Sequence, residues 1–409
     1  MKSILLINHY AGSLSMGMEF RPYYLAKEWK RAGYNVCIIT ANYSHLRQNN
    51  PQKKKTGDVE DIDGISYYWI NTNRYKNNGI ARFLSIFKFC VTIILSAKKI
   101  VKQFSPDFVI ASSTYPFDIF PAKRISNLAN AKLIHELHDM WPLSLIELGG
   151  MSEKHIFVQL VKKAESYIYN NIDAEISILA NTKDYMVKHG LLPSKFFHVP
   201  NGIAIETVSI CQELSPSNRI FVESIKQKGK FICCYFGSHT KSYGLDLLLE
   251  AKRECENIAL LYVGDGYHKK DLIKSVEDKK ITDVYFMDSI PKGEIQSLLK
   301  MVDCIYVGTN GSIIFRYGIS MNKLYDAMYS GKPILLLADS PNNIIQVSQC
   351  GKVVFPISIE KLKEALLEMS NLNRVELDEM GERGHNFVVN NCNYSTISSD
   401  FLKILNDIQ

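Results

Sequence analysis

The chain has 409 residues, 46% hydrophobic and 22% charged, which is the make-up of a globular protein with room for two domains of roughly 200 residues each. No uninterrupted apolar run reaches the ~18–20 residues that span a bilayer, and the apolar start after Met1-Lys2 is too short for a signal peptide, so the chain is expected in the cytoplasm. The net charge is only +6, yet residues 64–106 contain no acid and hold seven cations (Arg74, Lys76, Arg82, Lys88, Lys98, Lys99 and Lys102).

Apolar runs predict strands at 4–8, 36–40, 65–69, 108–112, 132–136, 174–178 and 196–199. Amphipathic helical stretches such as 19–32, 83–104 and 156–170 lie between them. A second series of strands follows at 231–236, 259–263, 284–287, 304–307, 334–337 and 352–355. Such alternation predicts parallel sheets covered on both faces, hence an α/β protein of two doubly wound domains. The boundaries fall at 1–200 and 201–390, with a polar approach over 206–230. A last helix over 395–408 belongs to a segment, 391–409, expected to return to the first domain. Cys37, Cys233, Cys234 and Cys304 sit in strand-like runs and no C-x-x-C pair occurs, so the nine cysteines read as reduced core thiols and not as a disulfide framework or a zinc site.

Ligands of open α/β sheets bind beyond the carboxyl ends of strands. After the first strand comes His9-Tyr10-Ala11-Gly12-Ser13-Leu14-Ser15-Met16-Gly17-Met18-Glu19-Phe20-Arg21-Pro22, whose glycines permit close approach of backbone to ligand. Its spacing is wrong for a dinucleotide fingerprint, so a nicotinamide cofactor is disfavoured and no cofactor is expected. Asp61-Ile62-Asp63 has the form of a metal-binding pair but lies in an acidic loop, where solvation explains it; no metal is expected. The acid-free stretch reads both as a core helix and as a basic, aromatic face for an anionic membrane surface over 74–104, with Lys88 arguing against a span. Nucleic acid is not expected, because no recognised motif appears.

Glu136-Leu137-His138-Asp139-Met140-Trp141-Pro142 ends another strand. His138 or Asp139 could take a proton from an acceptor hydroxyl, and Trp141 could stack on a sugar ring. In the second half, Tyr235-Phe236-Gly237-Ser238-His239-Thr240-Lys241-Ser242-Tyr243-Gly244 and Val263-Gly264-Asp265-Gly266 are strand-end turns. In Gly318-Ile319-Ser320-Met321-Asn322-Lys323-Leu324-Tyr325-Asp326-Ala327-Met328-Tyr329-Ser330-Gly331-Lys332-Pro333-Ile334, Ser320 is expected as N-cap and Gly331 as the C′ residue of a short helix. Leu324, Ala327 and Met328 face inward, and Asn322 and Asp326 lie together on the opposite face beside Lys323. A helix start bearing Ser, Asn and Lys suits phosphate, with Asp326 one turn on to accept from ribose hydroxyls.

That segment resembles the donor-binding signature of glycosyltransferase family 4, enzymes of the GT-B fold, and its "G-x-S-x-N-K-L-x-D-x-M-x-x-G-K-P-I" form is similar to a subgroup that builds bacterial surface polysaccharides, including fucosamine-type transferases. The family has an acid eight positions before Asp326, where this chain has Gly318. "Y-A-G-S-x-x-x-G-M-E-F-R-P" in the first loop, "D-M-W-P" at 139–142, "V-P-N-G-I" at 199–203, "G-D-G" at 264–266, Ile290-Pro291-Lys292-Gly293-Glu294-Ile295 and Val302–Val307 follow in the family's order. The resemblance implies two Rossmann-like domains flanking a cleft, the first taking the acceptor and the second the donor. It implies retention of configuration without metal, with a sugar moving from a nucleotide diphosphate, UDP-linked, to a polyprenyl-diphosphate-linked oligosaccharide of O-antigen or capsule. The donor sugar it suggests is N-acetyl-fucosamine or another N-acetylated hexosamine. By position, Gly17, Gly237, His239, Gly264, Asp265, Arg316, Ser320, Asn322 and Asp326 would bind donor, and Tyr10, Glu19, Arg21 and Trp141 acceptor. Tyr243 stands where the family has the lysine that holds the leaving diphosphate, so Lys241, Lys323 or Arg316 must supply that charge; Lys241 and Lys323 join His138 and Asp139 as catalytic candidates. The protein would work at the inner face of the cytoplasmic membrane. A nucleotide-sugar epimerase on the same fold and a non-catalytic nucleotide-sugar binder are the rivals; turnover of donor without acceptor, or binding without product, would reveal them.

Overall fold

The computed structural model describes residues 1–18, 20–76 and 79–409. It comprises two compact units, Met1–Pro200 with Tyr394–Gln409, and Asn201–Asn393.

Unit 1 is built on strands β1 (Ser3–Ile7), β2 (Asn35–Ala41), β3 (Val59–Ile62), β4 (Ile65–Ile70), β5 (Phe108–Ala111), β6 (Lys132–Leu137), β7 (Ala174–Ser177) and β8 (Phe196–His198), in the spatial order β3-β4-β2-β1-β5-β6-β7-β8. β3 runs antiparallel to β4 and all other pairs are parallel. The order reverses between β1 and β5, which places the first unit's switch point beside the His9–Gly17 loop. The central strands are buried on both faces, as their unbroken apolar runs require. The helices Arg21–Arg31 and Tyr394–Asp407 pack through Tyr24 on Tyr394 (centroids 4.9 Å apart) and Trp29 on Phe401 (5.0 Å).

Unit 2 carries β9 (Phe231–Phe236), β10 (Ile258–Val263), β11 (Val284–Met287), β12 (Cys304–Gly308), β13 (Ile334–Leu337) and β14 (Gly351–Val354), all parallel, in the order β11-β10-β9-β12-β13-β14. This is the doubly wound 3-2-1-4-5-6 arrangement, with its switch point between β9 and β12. The fold is therefore α/β in both units, each a doubly wound and mostly parallel sheet.

Two elements depart from the sequence reading. The acidic stretch before β4 is not a loop: β3 forms a short edge strand carrying the charged Glu60 and Asp61, a pattern that protects an open edge. Within it Asp61 Oδ1 accepts from the Gly64 N–H at 2.9 Å, and in the following turn Asp63 accepts from the Tyr23 hydroxyl at 2.7 Å. The polar approach over 206–230 contains a helix, Pro216–Lys226, started by proline and anchored by buried Val222 and Ile225.

The acid-free stretch forms one helix, Ile80–Phe104, long and apolar enough by length and composition to cross a membrane. Ile86, Phe89, Ile93, Ala97 and Ile100 are buried in unit 1, so the helix serves the core. Its outer line is Ile80, Leu84, Phe87 and Leu95, all exposed, continuing into Lys98 and Lys102. Eight of the nine cysteines are buried and all are free thiols; Cys211 is exposed.

Candidate functional site

In unit 2, loops at the switch point converge on one spot. Gly237 leaves β9 with φ +124°, and Gly264 leaves β10 with φ +133°. A Cβ on residue 264 would stand 2.1 Å from the Gly237 carbonyl oxygen, so the two strand-end loops can touch because residue 264 is glycine. The His239 N–H donates to the Asp265 carbonyl at 2.8 Å, and the Asn310 N–H to the Ser242 carbonyl at 2.9 Å, fixing the β9 loop to the loops after β10 and β12.

Into this spot reaches Lys323, from the first turn of the Asn322–Tyr329 helix. Its ammonium donates to the Tyr235 hydroxyl at 2.8 Å and lies 4.5 Å from the Tyr235 ring centre and 3.6 Å from that of Tyr243. A Cβ on Gly237 would be 3.0 Å from Nζ. Among the described residues no carboxylate pairs with it, and burial pulls its pKa down from the usual lysine range to about 7. Beside it His239 is fully buried with neither ring nitrogen hydrogen-bonded to protein, and burial, with Lys269 and Lys323 nearby, lowers it to about 4. A half-buried cation without a carboxylate partner next to a buried, unsatisfied imidazole is costly unless an anionic, hydrogen-bonding ligand completes it.

The other donor candidates sort by position. Lys241 is exposed. Arg316 is engaged by Asp339 at 2.7 Å. Asp265 and Asn322 are exposed at the β10 turn and the helix start, and Asp265 Oδ1 accepts from the Gly266 N–H at 2.8 Å. Asp326 lies one turn beyond Lys323; burial raises its pKa and Lys292 opposes this. Ser320 is not the N-cap: the helix opens at Met321 without a side-chain cap. The Ser320 hydroxyl is 3.0 Å from that of Tyr325 and accepts from the Asn201 N–H at 3.0 Å, while the Asn201 amide donates to the Ser320 carbonyl at 2.7 Å. Gly331 sits at the C′ position with φ +70°, as its sequence context indicated.

In unit 1, β6 delivers Glu136, His138 and Asp139. Arg21 Nε and Nη2 hold Glu136 Oε1 at 3.0 and 2.9 Å, and the same guanidinium reaches the carbonyls of Val199 and Pro200 at 3.0 and 2.6 Å. Ser112 donates to Glu136 Oε2 at 2.6 Å, and His138 Nε2 lies 3.0 Å from that oxygen and 2.9 Å from the Ser112 hydroxyl. Burial opposes ionisation of Glu136, but Arg21 and His138 outweigh it and hold the carboxyl well below the usual range. Arg21, read from sequence as an acceptor contact, is buried in this network.

Asp139 accepts from the Trp141 indole at 3.1 Å and from the Ser144 hydroxyl, and burial raises its pKa. Trp141 also meets Phe157 edge to face at 5.9 Å. A water-sized cavity lies among His135, His138, Asp139, Trp141, Tyr115 and Glu165. Tyr10 is buried, its hydroxyl taking hydrogen bonds from Arg82 at 3.2 and 3.1 Å. Gly17 turns with φ +63° against the Gln48 side chain, and Glu19 lies outside the described residues. Sequence reasoning missed Tyr235, whose hydroxyl and ring both receive Lys323; a tyrosine ending a strand before glycine was the available signal.

Residues 16–207 match the family model described as Glycosyltransferase Family 4, and residues 217–387 match Glycosyl transferases group 1. The chain is 23% identical over 283 residues to the "Probable glycosyltransferase WbjE" of Pseudomonas aeruginosa, covering 68% of this chain and 67% of that protein. Among solved structures it resembles sucrose-phosphate synthase from Thermosynechococcus elongatus, with TM-score 0.73 and 16% identity over 100% of this chain and 99% of that one. It also resembles HepE of Anabaena in complex with UDP and glucose, with TM-score 0.65 and 13% identity over 100% of both chains. An Escherichia coli structure described as trehalose-6-phosphate bound with UDP-2-fluoro glucose gives TM-score 0.72 and 11% identity over 99% of both.

Proposed function

We propose that this GT-B glycosyltransferase moves a sugar, an N-acetylated hexosamine of the fucosamine type, from a UDP-linked donor to a lipid-linked oligosaccharide of bacterial O-antigen or capsule, with retention and without metal. The observation that carries the donor half is Lys323, a half-buried ammonium that no carboxylate pairs with among the described residues, beside the unsatisfied ring of His239. A diphosphate supplies both the negative charge and the acceptor oxygens that this pair requires. UDP or UDP-sugar in the HepE and Escherichia coli structures supports the choice of nucleotide, and the WbjE likeness supports the surface-polysaccharide setting.

In the reaction, the bond between the sugar's C1 and the β-phosphate oxygen breaks and a bond from C1 to the acceptor oxygen forms on the same face. The acceptor's proton passes to the leaving phosphate or to His138 or Asp139, and the nucleoside diphosphate departs with the bonding electron pair. Cations and N–H donors already in place for that charge lower the barrier without reorganising. Asp326 would hold the ribose and Trp141 the acceptor sugar. The exposed line Ile80, Leu84, Phe87 and Leu95 with Lys98, Lys99 and Lys102 would rest on an anionic leaflet at the inner face of the cytoplasmic membrane, where the acceptor's lipid resides.

A thermal-shift screen of nucleoside diphosphates and their sugars tests this reading, since a ligand that binds only the folded chain raises its apparent stability. UDP and a UDP-hexosamine are expected to raise Tm, and Asp326→Ala is expected to raise donor KM about tenfold or more with the fold intact. Absence of any shift, or donor affinity unchanged in Asp326→Ala, counts against the site. Conversion of donor with no acceptor would identify an epimerase instead.

A further inference from the structure

A half-buried lysine without a carboxylate partner needs another source of stabilisation, and at Lys323 the source is aromatic. We propose that Tyr235 and Tyr243 form a seat that presents the Lys323 ammonium to the donor's leaving diphosphate, so that position 243 contributes the ring beneath the cation and not the cation itself. The inference rests on the donor reading above and deepens it: the charge lost at position 243 is restored from a residue 80 positions later.

The geometry is specific to these residues. The ammonium has three hydrogens; one is committed to the Tyr235 hydroxyl at 2.8 Å, leaving two for a ligand. The ring centre of Tyr243, 3.6 Å from Nζ, closes one side, and that of Tyr235, 4.5 Å away, another. The remaining approach is past Gly237, where a side chain would come within 3.0 Å of Nζ and glycine leaves the way open. Tyr243 is itself pinned, because the next residue, Gly244 (φ +61°), packs so closely that a Cβ there would lie 2.6 Å from the Thr309 carbonyl. The two other cations considered for this duty do not compete: Lys241 is exposed and Arg316 is engaged by Asp339.

Charge follows from the surroundings. The titratable groups around the ammonium are Tyr235 and Tyr243, both raised by burial and neutral, and His239, lowered to about 4 and neutral above it; Asp326 follows on the same helix. Burial lowers Lys323 to about 7, so near pH 8 much of it is uncharged. A diphosphate against Nζ favours the charged form. Binding therefore takes up a proton, and donor affinity falls as pH rises from 7 toward 9.

The test is titration calorimetry of UDP at pH 8 in two buffers of different ionisation enthalpy, with turnover measured in parallel. Wild type is expected to take up a fraction of a proton per UDP, and Lys323→Met none, with kcat down 100-fold or more. Tyr243→Phe keeps the ring and is expected to keep both the uptake and the pH profile. Tyr243→Leu loses the ring; its kcat falls at least tenfold and its activity is lost at lower pH. In the double variant Lys323→Met with Tyr243→Lys, the returned lysine is expected to regain tenfold or more over Lys323→Met. Equal pH profiles for Tyr243→Phe and Tyr243→Leu, or wild-type proton uptake in Lys323→Met, overturn the seat while the donor site stands. Failure of wild type to bind UDP overturns the donor site and the seat together.

Discussion

Beyond β6 of unit 1, Arg21, Ser112 and His138 converge on Glu136, whereas beyond β9 of unit 2, among the described residues, Lys323 meets two tyrosines and no carboxylate, and the ring nitrogens of His239 take no hydrogen bond. Both are charges held near the ends of parallel strands, Glu136 fully buried and Lys323 half-buried. The first is answered within the protein, and removing one member should damage the fold. The second is left unanswered, and removing it should damage ligand binding while relieving the empty protein. Burial of charge alone therefore does not mark a binding site; burial without a partner does.

The sharpest way to break this contrast is Arg21→Met. It removes the guanidinium from buried Glu136, leaving Ser112 and His138 to hold the carboxylate, and is expected to cost about 3–5 kcal/mol in denaturant unfolding. Lys323→Met, by the same measurement, should leave stability unchanged or higher; a loss comparable to that of Arg21→Met would erase the distinction. Next come the two acid–base candidates. Asp139→Asn and His138→Ala are expected to separate, with the true proton acceptor losing about 10²–10⁴-fold in kcat. Unchanged kcat in both would make the β6 end purely structural.

A smaller effect concerns Glu165. Burial raises its carboxyl to about 7, against ~4.3 in an unfolded chain. The group is thus protonated in the fold and ionised in the unfolded chain between those values, so its share of stability falls as pH rises from about 4 to 7 and stays low above. Glu165→Gln should accordingly look more stable relative to wild type at pH 8 than at pH 5, by on the order of 1–3 kcal/mol. Identical differences at both pH values would show that the carboxyl ionises freely. The smallest expected effect is flotation with anionic vesicles, weakened by salt and by replacing Lys98, Lys99 and Lys102 with glutamine. Binding that ignores both would place membrane contact elsewhere.

Local order was written plainly in the chain. The 3.6-residue spacing of Leu324, Ala327 and Met328 buried all three, and Gly331 stopped the helix with a positive φ. The strands of both sheets followed from continuous apolar runs, with β3 escaping notice because an edge strand facing water carries charges instead. The site was legible only in part. Its loops could be placed at strand ends, but Lys323 is 88 residues from Tyr235, and Arg21 is 115 from Glu136. Neither pairing leaves a periodic trace, so a buried structural arginine resembled a ligand contact and a serine tied to Asn201 resembled a helix cap. Lys241, Lys323 and Arg316 look alike in the chain; that Lys323 stacks on two tyrosines, Lys241 is exposed and Arg316 pairs with Asp339 is visible only in three dimensions.

The distribution of thiols has a practical corollary. Cys211 alone of the nine is open to solvent, and burial raises several of the rest, such as Cys392, pushed up to about 12. A maleimide dye should thus label the native chain at one place, on unit 2, and leave the interior sulfurs untouched until the sheets part. The rate at which further labels appear would serve as a built-in clock of local opening, and slowing of that clock by nucleotide would report occupancy without an assay for turnover.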